Sequence, residues 1–204
     1  MLFRSKRAAF RKEYLLDDDE LAIGIVGRLV PVKNHPMFLN VMHEVWQKTK
    51  KKVRAFIIGD GEDLQSLFSK CNELNIPFTY FPEKQVREPL TFTSWIKDVE
   101  RAMAGLDIIA LTSLNEGTPV SLIEAQAAQK PIVTTNVGGI ENVVLRNETA
   151  LLTESNDISG FSAHLLTLIE NENERNKMVR QSRQNVENKF HYTRLVSEIG
   201  RAHV

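Results

Sequence analysis

Glu116 and Glu124 stand eight residues apart, bracketing Gly117, Thr118 and Pro119, just after the apolar run 108–111. The segment reads as strand, loop and helix with a carboxylate at each end. Thr118 is expected to cap the helix and Pro119 to take its first position, where proline's missing N–H is not needed and its φ is already helical. From Val120 onward the helix is almost wholly apolar, and Glu124 shares a stripe with Val120, Ile123 and Ala127 at helical spacing. A carboxylate on that stripe must be buried or face a cleft. An unpaired buried charge is costly, so Glu124 needs a partner that hydrogen-bonds it. A polyhydroxylated ligand supplies one, and so would an internal ion pair with Arg28 or Lys33. Glu116 reads either as a second ligand-facing acid or as an ordinary loop carboxylate.

Arg28 and Lys33, in GRLVPVKNH, suit a diphosphate. A planar guanidinium binds two oxygens at once, and an ammonium adds a point charge on a flexible stem. The alternative is two surface cations. The amides of Thr118, Val120 and Ser121 lie at a helix start, where the dipole and free N–H groups favour phosphate oxygens; Pro119 has no N–H to give. Gly138 and Gly139 allow close backbone approach or positive φ, or form a plain turn.

The elements that must position these residues alternate as strand then helix, the pattern of an α/β fold with a parallel sheet and helices on both faces. Strands are expected over 21–27, 53–58, 78–81, 108–111, 132–135 and 150–152, and helices over 36–49, 63–74, 96–103 and from 120. Two polar helices over 157–190 read as a solvated surface element. The candidate residues then follow strands: Arg28 and Lys33 the first, Gly59 to Gly61 the second, Glu116 to Thr118 the fourth, Gly138 and Gly139 the fifth. Open parallel sheets bind ligands in the crevice beyond their carboxyl ends, so the clustering favours one nucleotide site.

Bulk properties exclude more than they assign. The chain's 204 residues make one domain, and 26 Lys plus Arg against 26 Asp plus Glu give no pull toward nucleic acid or an anionic membrane. Cys71 is single and reads as a small apolar core residue of a reducing compartment. No run of apolar residues is long enough for a transmembrane segment. Asp17, Asp18 and Asp19 read as a solvated acidic turn rather than a metal site, and Gly59, Asp60 and Gly61 fall short of a dinucleotide fingerprint because Leu64 replaces its third glycine. His35 is read as opening the following helix rather than touching phosphate.

The segment EGTPVSLIEAQAAQKPIVTTNVGG resembles the donor-binding core of the retaining GT-B glycosyltransferases of the family-4 type, marked by two glutamates with seven residues between. GRLVPVKNH resembles that family's diphosphate loop, and WIKDVERAMAGLDIIALTS the helix and strand before its glutamate loop, so ordered blocks run from about 21 to 190. The resemblance implies a Rossmann-like domain that is the C-terminal half of a GT-B fold. It also implies a hexosyltransferase with a nucleoside-diphosphate sugar as donor, a UDP-sugar among the options, and no cofactor or metal. Arg28, Lys33 and Glu116 would be catalytic. The donor would be bound by Gly27, Gly117, Thr118, Val120, Ser121, Glu124, Gly138 and Gly139, with Glu124 on the ribose hydroxyls. Glu116 would contact the sugar or stabilise positive charge near its anomeric carbon. Thr91 and Trp95 are candidates to line the base, Trp95 equally for packing. A glycan or lipid-linked acceptor would bind through a missing N-terminal domain, in an enzyme of polysaccharide biosynthesis that is cytoplasmic or peripheral at the inner membrane face. The fragment alone is expected to be inactive. Departures from the family pattern are Glu141 and Asn142 after the glycine pair, Lys130 where glycine is common, expected to be a mild change, and no glycine within PEKQVREPLTFTS. A nucleotide-sugar epimerase of the same architecture and a non-catalytic nucleotide-binding Rossmann module stay open as alternatives.

Both ends of the chain carry a separate signal. IGRAHV at 199–204 is what ATC GGA AGA GCA CAC GTC encodes, and LFRS at 2–5 is what CTC TTC CGA TCT encodes. The two look like opposite strands of one sequencing-adapter oligonucleotide. The expectation is a domain over 6–198, flanked at 1–5 and 199–204 by residues that are not natural protein, in a gene that continues both ways.

Overall fold

The computed structural model describes residues 2–190; the expected flank at 199–204 lies outside them. Seven strands, β1 (Leu21–Val26), β2 (Val53–Ile58), β3 (Phe78–Tyr80), β4 (Leu90–Phe92), β5 (Ile108–Leu111), β6 (Ile132–Thr135) and β7 (Ala150–Thr153), form one sheet in the order β3-β4-β2-β1-β5-β6-β7. Every pairing is parallel. This is the Rossmann-like α/β class expected. The chain moves outward from β1 through β2 to β3 and β4, then crosses back to place β5 on the other side of β1. The crevice beyond the carboxyl ends of β1 and β5 is therefore the topological switch point, where parallel sheets bind ligands.

Strand alternation divides the core. Ile23 and Ile25 of β1, with Ala55 and Ile57 of β2, point toward α2 (His35–Lys48), α3 (Leu64–Glu73) and α6 (Ile158–Glu170). Ala22, Val26, Phe56 and Ile58 point the other way, toward α1 (Leu2–Glu13), α4 (Val99–Gly105) and α5 (Val120–Ala127). Strands buried on both faces read as continuous apolar runs, which is why these were visible in the sequence. Cys71 is a buried core residue, and burial pushes its thiol up to about 12.

Several expectations need correction. No element was expected before residue 21, yet α1 packs along α4, its Phe10 against the ring of Phe56, and Tyr14, just past its end, against that of Phe81. The segment expected to be a loop between the third strand and Trp95 contains β4. The helix expected over 96–103 starts at Val99, because Asp98 caps it by accepting from the Arg101 amide at 3.1 Å. The last two helices are not a solvated tail: α6 buries Phe161, Leu165, Leu168 and Ile169. α7 (Glu172–Phe190) is polar but docks on α5, where Asn185 Nδ2 donates to Gln126 Oε1 at 2.7 Å and to the Val143 carbonyl at 3.0 Å. Lys130 is buried, and its Nζ donates to the carbonyls of Ala104 at 3.2 Å and Leu106 at 2.6 Å, closing the end of α4. Burial lowers its ammonium to about 8.

Also toward the amino ends of the strands, away from the crevice, Arg54 is buried and donates to the carbonyls of Tyr14, Leu15 and Glu88 and to Thr91 Oγ1. Arg87 bridges Asp17 and Glu20, and Lys52 pairs with Asp19, so the acidic turn is neutralised by cations of the chain. Arg54→Ala strands four acceptors at once, and urea unfolding is expected to show a loss of about 3 kcal/mol; a loss below about 1 kcal/mol would contradict this role.

Candidate functional site

Backbone contacts set the site before any side chain does. After β1 the chain passes Gly27 and Arg28 and makes one 3₁₀ turn over Pro31–Lys33. That turn is tied to the loop after β5: Thr112 Oγ1 donates to the carbonyls of Lys33 at 3.1 Å and Asn34 at 3.0 Å, and the Leu114 amide donates to the Val32 carbonyl at 2.8 Å. The loop after β6 presses on the β5 loop from the far side. Gly138 has φ of 52°, and a Cβ there would overlap the Glu116 carbonyl; a Cβ on Gly139 would overlap that of Gly117. The Gly139 amide donates to the Glu116 carbonyl at 2.7 Å. These glycines seat the Glu116 loop. Gly117 itself has no atom within 4 Å of where a Cβ would stand, so it opens outward.

The side chains converge on a cavity of about 570 Å³ between β1, β5 and the start of α5. Gly27, Arg28 and Lys33 line it from the first loop, Glu116 and Thr118 from the β5 loop, and Val120, Ser121 and Glu124 from α5, with Trp95 at one side. Gly138 and Gly139 lie behind this wall. Thr91 does not reach it: the residue is fully buried on β4, with its hydroxyl accepting from Arg54 Nη2 at 2.9 Å. Trp95 is 56% exposed, so packing does not account for its position. Ser94, just before it, adopts φ of 59° and donates to Asp60 Oδ2 at 3.2 Å. The loops after β2 and β4 are thereby joined. Gly59 and Gly61 lie against the backbone of Gly27 and Leu29.

Two carboxylates and two cations face the cavity on different terms. Lys33 Nζ and Glu116 Oε1 form an ion pair at 2.6 Å, and Ser113 Oγ donates to the same oxygen at 2.6 Å. Glu124 pairs with neither Arg28 nor Lys33 and has no partner among the described residues. Burial raises its pKa. Arg28 is exposed and likewise unpaired among the described residues. Thr118 does not cap α5: Pro119 occupies that position with ψ of 99°, and no side chain bonds the first turn, which leaves the amides at the helix start open to the cavity. Among the described residues, no cluster of three or more His, Cys, Asp or Glu could hold a metal ion.

Sequence reasoning missed Ser113, whose buried hydroxyl gives no periodic signal. It also missed the apolar lip of Val26, Val30 and Val32, which belong to runs that read as strand and turn.

A family model described as "Glycosyl transferases group 1" matches residues 6–185. The UDP-Gal:alpha-D-GlcNAc-diphosphoundecaprenol alpha-1,3-galactosyltransferase of Escherichia coli is 28% identical over 177 residues, 86% of this chain and 43% of that protein. The capsular polysaccharide biosynthesis glycosyltransferase CapM of Staphylococcus aureus is 29% identical over 190 residues, 88% of this chain and 44% of its own length. The chain thus spans less than half the length of these curated relatives. Among solved structures, Anabaena Alr3699/HepE in complex with UDP and glucose superposes with a TM-score of 0.82 at 20% identity, over 97% of this chain and 51% of that one. The C-terminal domain of a glycosyl transferase group 1 family protein (LpcC) from Francisella tularensis gives 0.74 at 20% identity, over 90% of this chain and 92% of that domain. These neighbours establish the fold.

His35, the first residue of α2, is fully buried with both ring nitrogens unpartnered, and does not line the cavity. Burial, with the Lys33 charge adding, lowers its pKa from 6.5 to about 4. Between those values the unfolded chain binds a proton that the folded chain refuses, so stability must fall as pH drops through this window, by about 3 kcal/mol in all. The difference in unfolding free energy between wild type and His35→Leu is expected to track this fall between pH 6.5 and 4; a constant difference would contradict it.

Proposed function

The chain belongs to the group 1 glycosyl transferases, and from that premise we propose that it is the donor-binding half of a retaining, family-4 type enzyme that takes its sugar from a UDP-sugar. The observation that carries the reading is the one cavity lined together by Arg28, Lys33, the open start of α5, Glu116 and Glu124. A nucleoside diphosphate matches both sets. Its phosphates suit the two cations and the amides of Val120 and Ser121, and its ribose hydroxyls suit the unpartnered Glu124. The E. coli relative's name specifies UDP-Gal, and HepE binds UDP and glucose, which supports uracil as the base.

Bond cleavage at the anomeric carbon moves negative charge onto the departing diphosphate. Arg28, Lys33 and the helix-start amides would stabilise that charge as it develops, and electrostatic preorganisation of this kind supplies the larger part of many enzymes' acceleration. Glu116 would stabilise the positive charge left on the sugar, and the acceptor would attack from the face the diphosphate leaves. The protein's own cations make a metal-independent reaction part of this reading. Trp95 offers an exposed ring face beside the diphosphate site and would flank the base. A glycan or lipid-linked acceptor would bind to another domain of the full enzyme. The full enzyme would then work in the cytoplasm or at the inner membrane face. No helix among the described residues is long and apolar enough to cross a membrane. The epimerase and dinucleotide-module alternatives gain no support from relatives named as transferases.

Calorimetric titration of the chain with UDP, GDP, ADP and NAD tests the proposal. UDP is expected to bind selectively, and Arg28→Ala and Glu124→Ala each to weaken it by about 10-fold or more, the scale of one charge-assisted hydrogen bond. Preference for NAD, or UDP binding indifferent to both substitutions, would refute it.

A further inference from the structure

Ser113 is fully buried and forms no part of the cavity wall. Its hydroxyl donates at 2.6 Å to Glu116 Oε1, the oxygen that Lys33 Nζ also holds at 2.6 Å. Glu116 Oε2 accepts from no group among the described residues. The serine is itself fixed, because its carbonyl accepts from Thr135 Oγ1 of β6 at 2.7 Å.

The two donors on Oε1 respond differently to an arriving anion. Lys33 lines the cavity and carries its charge on a flexible stem, so a diphosphate competes with Glu116 for its ammonium. Ser113 carries no charge, is shut off from the cavity and sits on backbone tied to the next strand. A carboxylate held by Lys33 alone would follow the lysine or be left free to rotate. One held also by Ser113 keeps its plane. We propose that Ser113 is a positioning residue that holds Glu116 by Oε1 while a diphosphate draws Lys33 away, so that Oε2 stays presented to the sugar of the donor.

The inference rests on the donor-site reading and adds a division of labour to it. Loss of the Ser113 hydroxyl must weaken recognition of the sugar and spare recognition of the nucleotide. A serine that only supported the fold would weaken both.

The test is an NMR titration of the 204-residue chain with UDP, UDP-glucose and UDP-galactose, in wild type, Ser113→Ala, Glu116→Ala and the double variant. Labelling Glu with carbon-13 makes the Glu116 carboxyl signal visible, identified by its loss in Glu116→Ala. In Ser113→Ala this signal is expected to shift before any ligand is added. UDP affinity should stay within about 2-fold, and affinity for the tighter UDP-sugar should fall about 10-fold, with no further fall when Glu116 is already Ala. An unmoved carboxyl signal, equal losses for UDP and UDP-sugar, the same loss in both backgrounds, or a wild type that binds UDP and both UDP-sugars alike would each overturn the proposal. A wild type that binds none of the ligands overturns the donor-site reading itself. The carboxyl signal separates that failure from failure of the Ser113 contact.

Discussion

An all-parallel sheet has one edge at which every strand ends, and in this chain the loops leaving β1, β2, β5 and β6 must share it. They fit because backbone meets backbone. Gly138 and Gly139 lie against the carbonyls of Glu116 and Gly117, and Gly59 and Gly61 lie against those of Gly27 and Leu29. Thr112 then ties the first loop to the fifth strand. Side chains of these loops are thus aimed by a framework of short contacts that any larger residue would force apart. Local precision of this kind is what a site on loops otherwise lacks.

Charge within that framework is divided unequally. Lys33 and Glu116 neutralise each other through one short contact, whereas Arg28 and Glu124 face the cavity unpaired among the described residues. An unpartnered carboxylate whose pKa is raised by burial is a cost to the folded chain. A ligand that offers hydroxyls to Glu124 and phosphate oxygens to Arg28 would offset it. The open first turn of α5 adds to the same side of the ledger, because Pro119 supplies no side-chain cap and leaves the amides of Val120 and Ser121 without partners among the described residues. The site is arranged for a ligand with an anionic middle and a polyhydroxylated flank.

The central strands were legible in the sequence because burial on both faces writes them as unbroken apolar runs. Arg28, Lys33 and Glu116 were legible because they stand in the loops that follow such runs, at the ligand-binding edge, and Glu124 because it is a carboxylate on an otherwise apolar helix stripe. Shorter and more composite elements were not. β4 is three residues long and follows a polar stretch with two prolines, so neither length nor alternation marks it. Thr91 was placed in the cavity on that account, although its hydroxyl belongs to the Arg54 network. α1 hides because a single apolar residue, Phe10, is buried among many cations, and Tyr14, which packs on it, stands just past the helix end. α7 hides because Asn185, a polar residue, makes its anchoring contacts. Ser94 holds a positive φ of 59°, a conformation normally given to glycine, with Asp60 within hydrogen-bond reach, and a serine in sequence gives no sign of it.

The most direct measurement is a crystal structure of the chain with UDP bound. The account predicts the diphosphate against Arg28, Lys33 and the first turn of α5, with the ribose hydroxyls on Glu124. UDP bound instead at the opposite edge of the sheet, between Lys51 and Arg87, would contradict it.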